Sequence, residues 1–175
     1  PMEKIVVSDT NIFIDLISVN LLDGFFSLPW EIHTTDMIMK ELKDSNQKAV
    51  VDAFRQLGSL KVKEFDGNEM LELMRMRKRA LESSNASIQD CSVWKLAKNL
   101  DCSLLTGDNR LRKVVQKDNI EVHGILYLFD KMLEHQVINH ETAITKLQSL
   151  FNINSRLPKD EIDKRIELWK AALTQ

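Results

Sequence analysis

The chain has 175 residues, 43% of them hydrophobic and 29% charged, with a formal net charge of −2. That length suits one domain with a real core, and the near-neutral charge excludes a surface broadly coated for nucleic acid, so any RNA or DNA contact must rest on a local patch. No apolar run reaches the roughly 18 residues that a membrane-spanning helix needs. Pro1-Met2-Glu3-Lys4 leads into a strand with no signal-peptide pattern, and Cys91 and Cys102 are isolated cysteines expected as reduced core thiols. The expected compartment is the cytoplasm, with no membrane contact.

In chain order, residues 4–8 read as a buried strand that ends in Ser8-Asp9-Thr10-Asn11, and the apolar segment 11–22 as a helix capped by Asp9 or Thr10. Leu28-Pro29-Trp30 is a turn, and 31–34 a short second strand. Thr35-Asp36 caps a helix from Met37 to about Lys43, and a second helix runs over about 47–57. Residues 60–65 alternate apolar and polar, as an edge strand does. Residues 68–82 form a helix with Met70, Leu73, Met74, Arg77 and Leu81 along one side. After a loop, Ser87-Ile88-Gln89-Asp90 opens a helix that ends near Asn99-Leu100. A buried strand over 102–106 closes in Gly107-Asp108, a basic helix spans 109–117, and 120–123 is the last strand. Strands alternating with helices imply a mostly parallel sheet with right-handed crossovers. From Gly124 the pattern is helical: 125–135, a helix opened by Asn139-His140-Glu141-Thr142, and one opened by Leu157-Pro158 with Ile162, Ile166, Trp169 and Leu173 as its apolar stripe.

Four acids recur where an open α/β sheet places ligands, at the C-terminal ends of its strands. Asp9 and Asp108 each follow a buried strand and precede a helix, so each is a helix cap or a ligand. Asp90 shares a helical stripe with Val93, Ala97 and Leu100. It can close a capping box with Ser87, yet a carboxylate on a core-facing stripe must be paired or hold a metal. Glu41 lies at the edge of an apolar helix face; alone it reads as a surface glutamate. Together, with Glu41 and Asp90 in the first turns of helices that follow sheet-edge loops, the four point to one rim. Carboxylates are the donors that Mg²⁺ and Mn²⁺ prefer, and such a cluster can activate water at a phosphodiester.

With these residues the chain resembles the PIN domain family. Asp9-Thr10-Asn11 after a hydrophobic strand, Glu41 in the next βα unit, Ser87-x-x-Asp90 with Leu96-Ala97 beyond, and Leu104-Leu105-Thr106-Gly107-Asp108 look like its four acidic motifs, over roughly residues 4–130. The resemblance implies a three-layer α/β fold whose five-stranded parallel sheet is ordered 3-2-1-4-5, with Asp9 and Asp108 on neighbouring strands. It implies a metal-dependent endoribonuclease in which Asp9, Glu41, Asp90 and Asp108 bind Mg²⁺ or Mn²⁺ and carry catalysis, supported through hydrogen bonds by Asn11, Thr106 and Ser87. Many members are toxins held by a small antitoxin; an RNA substrate, such a partner and a homodimer are the associations it suggests. Two departures stand out. Asn109-Arg110-Leu111-Arg112 supplies no further acid, and the tail from about residue 136 is longer than a compact toxin needs. The expected division is a nuclease domain at 1–135 and a helical extension at 136–175, packed on it or serving a partner.

Arg75, Arg77, Lys78 and Arg79 form the one dense basic run. It is either a solvated helix face or, through Arg75, Lys78 and Arg79, a phosphate-steering patch near the Asp90 loop; Arg110 and Arg112 are placed for the same role. The four histidines show no metal-ligand spacing, and no glycine-rich phosphate loop is present. A different class of function is a PIN-like module that binds RNA or protein with little or no cleavage. A phosphatase using Asp9 as nucleophile is weaker, because its pattern wants a second Asp where Asn11 stands.

Overall fold

The computed structural model describes residues 2–175. Its sheet is five-stranded, all parallel, in the order β3-β2-β1-β4-β5, as the resemblance implies. The strands are β1 (Lys4–Ser8), β2 (Trp30–Thr35), β3 (Leu60–Lys63), β4 (Ser103–Leu105) and β5 (Val122–His123). β1 is central: its Val6 and Val7 have no exposed surface, and neighbours flank it on both sides. Strands covered on both faces read as near-continuous apolar runs, which is why β1 and β4 stand out in the sequence. The helices between the strands are α1 (Thr10–Ser18), α2 (Leu22–Phe26), α3 (Asp36–Glu41), α4 (Ser45–Gln56), α5 (Gly67–Ala80), α6 (Ile88–Leu100) and α7 (Asn109–Val115).

Three expectations shift. The helix expected over 11–22 stops at Ser18, where Asn20 takes φ 55° and turns the chain into the separate α2; Asn tolerates that left-handed conformation better than most residues. Glu41 closes the short α3 instead of lying in its first turn. On α5 the buried stripe is Leu73 and Ala80, while Met74 and Leu81 are 58% and 51% exposed. α5 packs mainly on α6, so only a narrow strip of it is covered, and that strip joins Ala86 and Cys91 in a small cluster of its own.

The remaining helices are α8 (Ile125–Glu134), α9 (His140–Ile153) and α10 (Lys159–Leu173). α9 contributes Ala143, Ile144, Leu147 and Leu150, and α10 Ile162 and Trp169, to the same core that holds Val6, Leu104 and Phe129. The Trp169 ring stacks near Phe129 at 6.2 Å. Arg165 of α10 grips Asp130 of α8 in a two-point ion pair of 3.0 and 2.8 Å. Asn154, just after α9, donates its side-chain amide to Asp15 of α1 at 3.3 Å. The α9–α10 pair therefore packs onto the αβ body; Leu173 alone of the expected α10 stripe is open, at 52%. Among the described residues, no helix is long and apolar enough to cross a membrane.

Leu147 has no exposed surface. We predict that Leu147→Ala lowers the unfolding free energy of the whole chain by about 2–5 kcal/mol in urea titrations, the usual cost of an unfilled leucine site. A loss well under about 1 kcal/mol would show that the α9–α10 pair melts apart from the sheet.

Candidate functional site

The parallel strands end together along one rim, and the rim carries the acids. Asp9 follows β1 directly. Its backbone N–H donates to the Leu105 carbonyl at 2.9 Å, which extends the β1–β4 pairing past the last strand residue. In an extended conformation (φ −82°, ψ 167°) it caps α1: Oδ1 accepts from the Thr10 N–H at 2.8 Å. Oδ2 accepts from the Thr106 hydroxyl at 2.7 Å. Asp9 is only 6% exposed. Burial, with the charges of Asp90 and Glu41 adding to it, pushes its carboxyl from 3.8 up to about 6 against the opposing hydrogen bonds from Thr106 and Thr10.

Glu41 reaches the same place from the end of α3. Much of the residue meets solvent, but its Oε1 accepts from the Thr10 hydroxyl at 3.1 Å. Its carboxyl is also raised, first by burial and then by the charge of Asp90, with the Thr10 hydrogen bond and Lys43 opposing. Thr10 thus touches two acids, Asp9 through its backbone and Glu41 through its hydroxyl. Sequence reasoning had Thr10 only as a cap; nothing in the linear pattern says that α3 ends beside it.

Asp90 sits in the first turn of α6. Both halves of a capping box are present: the Asp90 N–H donates to Ser87 Oγ, and the Ser87 N–H to Asp90 Oδ2, each at 3.0 Å. The cap and the site position coexist, since the charge of Asp90 reaches both Asp9 and Glu41. Ser87 holds Asp90 through this box. A brace that sequence reasoning missed joins the two flanking helices. Ser92 donates to the Gln89 carbonyl at 2.7 Å, so its oxygen accepts from the Thr35 hydroxyl at 2.8 Å, while Thr35 itself accepts from the Ile38 N–H at 3.2 Å. The starts of α3 and α6 are locked together, with Thr35 and Ser92 fully buried. A small hydroxyl pair across unrelated segments leaves no spacing signal in a sequence.

Asp108 is placed differently. It follows β4 beside Asp9, but its Oδ1 is turned to the N-terminus of α7, accepting from Arg110 at 2.9 Å and Leu111 at 3.4 Å. Its link to Asp9 is Thr106, whose hydroxyl oxygen accepts from the Asp108 N–H at 3.1 Å while donating to Asp9. Asn11 braces the backbone instead of a carboxylate: its Oδ1 accepts from the Gly107 N–H at 3.0 Å. The structure therefore brings Asp9, Glu41 and Asp90 into mutual electrostatic contact and hangs Asp108 at their edge. Among the described residues, no group of three or more acids, histidines or cysteines is drawn together closely enough to ligate one ion.

The expected basic contacts divide. Arg75 and Arg79 line a depression of about 370 Å³ with Lys95 and Lys98, apart from the four acids. Lys78 is exposed on α5. Arg77, left out of the steering patch, lies near Cys91: its charge offsets part of the burial and Asp90 effects that push the Cys91 thiol up to about 11. Arg110 bends back toward Asp108 at 3.7 Å, and Arg112 donates to the Val122 carbonyl at 3.4 Å.

A family model described as DUF3368: PIN domain matches residues 5–171 of the chain, α9 and α10 included. The chain is 31% identical over 97 residues to Endoribonuclease Nob1 of Methanocaldococcus jannaschii; the match takes in 55% of this chain and 47% of that protein. The chain thus spans about half the length of the curated relative it matches. Among solved structures, PAE2754 from Pyrobaculum aerophilum superposes with a TM-score of 0.52 at 15% identity, covering 76% of this chain and 99% of that one, which is a likeness of fold. VapBC2 from Rickettsia felis, solved with a promoter DNA fragment, gives 0.48 at 16% identity over 69% of this chain and 98% of its own.

The folded-state value of about 6 for Asp9 stands above its ordinary 3.8. Its contribution to stability is therefore complete below pH 3.8 and is lost as pH rises through about 6. At pH 7.5 the ionised, buried carboxylate costs on the order of 3 kcal/mol. We predict that Asp9→Asn is more stable than the parent protein at pH 7.5 by about 1–3 kcal/mol, with the gain shrinking toward pH 4.5. Urea titrations at the two pH values decide it; a variant that is less stable at pH 7.5 and keeps the parent's pH dependence contradicts the assignment.

Proposed function

Because the chain belongs to the PIN domain family, we propose that it is a metal-dependent endonuclease that hydrolyses phosphodiester bonds in RNA, with Asp9, Glu41, Asp90 and Asp108 as its catalytic carboxylates. One observation carries this reading: a buried Asp9 whose carboxyl is raised to about 6 and which feels the charges of Glu41 and Asp90. A fold keeps such a costly cluster where a cation or a proton compensates it. RNA is the favoured substrate because the partial relative bears the name of an endoribonuclease.

The donor chemistry suits the metal, although the carboxylates would have to draw closer to share one ion. Asp9, Glu41 and Asp90 offer only carboxylate oxygens, the hard ligands suited to Mg²⁺ or Mn²⁺, and Glu41 Oε2 and Asp90 Oδ1 accept no hydrogen bond within the described chain. When bound, the cation would supply charge neutralisation at the phosphodiester and activation of water. The protein's own part is positioning and proton handling. Asp9 is largely deprotonated at neutral pH and can take a proton from an attacking water, while Thr106 and the Thr10 N–H hold its two oxygens in place. Thr10 orients Glu41, the Ser87 capping box orients Asp90, and Thr106 couples the Asp108 turn to Asp9.

A second reading has its own support. Asp9, Asp90 and Asp108 all serve as caps or capping-box partners, which is enough to keep them in a module that binds RNA without cutting it. A toxin role, with a small antitoxin as partner, is a proposal that rests on the sequence resemblance alone.

The test incubates the full chain with end-labelled RNA and DNA in Mg²⁺, Mn²⁺ or EDTA, beside Asp9→Asn and Asp90→Asn. We expect RNA cleavage with either cation, none in EDTA, and a drop of at least about a hundredfold in each variant, the scale of losing a positioned proton acceptor. Cleavage that survives EDTA, or persists in both variants, would remove the metal-nuclease reading. Tight RNA binding with no cleavage under any condition would leave the binding module.

A further inference from the structure

A cleft of about 610 Å³ lies beside the carboxylate cluster, on the β4–β5 side of it. Its inner end is Asn11, Thr106 and Gly107, the residues that adjoin Asp9. Its outer wall is the turn between α9 and α10, where Arg156, Leu157 and Pro158 face back toward β5 and α7. The C-terminal helices thus do more than fill core: they build one side of a channel that ends at Thr106 and Gly107, next to the candidate site, while the four carboxylates themselves lie outside its lining.

Charge and chemistry identify what the channel takes. Three arginines line it, Arg112, Arg156 and Arg165. Arg165 is occupied by Asp130 and Glu161. Among the described residues, Arg112 and Arg156 have no acidic partner; Arg112 is tethered only by the Val122 carbonyl. The two acids of the channel are both engaged, Glu161 by Arg165 and Asp15 by the Asn154 amide. Two uncommitted guanidiniums at the sides, with Ile12, Leu126 and Leu157 supplying apolar surface between them, suit a chain that alternates phosphates with sugars and bases. The volume lies in the range that encloses a nucleotide-sized ligand.

We infer that this cleft seats the single-stranded RNA backbone next to the carboxylate cluster, with Arg112 and Arg156 as phosphate contacts. The inference rests on the nuclease reading for the choice of RNA. It gives the α9–α10 turn a part in substrate binding, and it moves the basic contact surface from α5, where Arg75 and Arg79 lie apart from the acids, to the β5 side of the rim.

The test is equilibrium binding of the full chain to a fluorescent single-stranded RNA in EDTA, by anisotropy across a salt series. The proteins are the parent, Arg156→Gln, the double variant Arg112→Gln with Arg156→Gln, and Lys48→Gln as a control far along the chain on α4. Each phosphate contact on a single strand adds about 0.7 to the salt slope of log affinity, so the double variant should lose about 1.4 and Arg156→Gln about half that. Between about 50 and 200 mM salt the parent should then lose roughly sevenfold more affinity than the double variant. Lys48→Gln should keep the parental slope. Arg156 is exposed and outside any helix, so its single variant tests the proposal even where the double variant folds poorly. An unchanged slope in Arg156→Gln, an equal loss in Lys48→Gln, or no salt-dependent RNA binding by the parent overturns the inference. The two readings fail separately: RNA cut by the parent with unchanged slopes removes the cleft alone, while slopes that fall in a protein that never cuts remove the nuclease and keep the cleft.

Discussion

The Thr106 hydroxyl lies between two acids, and the rim is built around it. It donates to Asp9 and accepts from the N–H of Asp108, so one oxygen fixes the carboxylate at the end of β1 relative to the turn after β4. The geometry requires β1 and β4 to be neighbours, in parallel, with Ser8 opposite Leu105. A one-residue slip in that register would turn the Thr106 side chain to the other face of the sheet. Sheet order and pairing are therefore the source of the site: a parallel sheet in the order 3-2-1-4-5 is the arrangement that puts these two strand ends side by side.

What opposes this arrangement is electrostatic. Asp9 is buried, and two further carboxylates press on it from α3 and α6. The fold answers with neutral donors, the Thr10 amide and the Thr106 hydroxyl, and among the described residues places no lysine or arginine against Asp9. A cationic side chain there would stabilise the ionised acid permanently and occupy its lone pairs. Hydroxyls and amides hold the oxygens in place and leave the charge uncompensated. The buried Thr35–Ser92 pair is the counterpart on the other flank, fixing the α3 and α6 starts so that repulsion cannot simply spread the helices apart.

Much of this was legible in the chain because it is local. β1 matches its expected span, Ser87 opens α6 through a capping box, and Asn139 caps α9, since caps and apolar runs depend on residues a few positions apart. Asp9, Asp90 and Asp108 were visible as strand-end or helix-start residues, whereas Glu41, read as a first-turn residue, closes α3. What stayed hidden is pairwise and distant: Thr10 to Glu41, Thr35 to Ser92, Asn11 to Gly107, Asn154 to Asp15. Each joins segments whose approach is set by the sheet, and each uses a small polar residue common in any surface. The α5 stripe was misplaced for a related reason. Apolar periodicity says which residues share a face, while the breadth of the covering neighbour decides how many of them are buried, and α6, the main neighbour of α5, covers a narrow band.

The α9–α10 pair brings packing and function onto the same atoms. Leu147, Leu150 and Trp169 belong to the central core, so the turn joining the two helices is held by the body of the protein and cannot act as a free arm. Arg165 is spent on Asp130 and Glu161, and Asn154 on Asp15; both contacts fix the turn against α8 and α1. The arginine left over, Arg156, is thereby carried on a rigid support at the mouth of the cleft, facing the α7 side where Arg112 is anchored by a backbone carbonyl. A positioned cation loses less side-chain entropy on meeting a phosphate than one on a mobile tail does. In the proposed channel, the same burial that packs the C-terminal helices into the core also holds Arg156 in place for a phosphate.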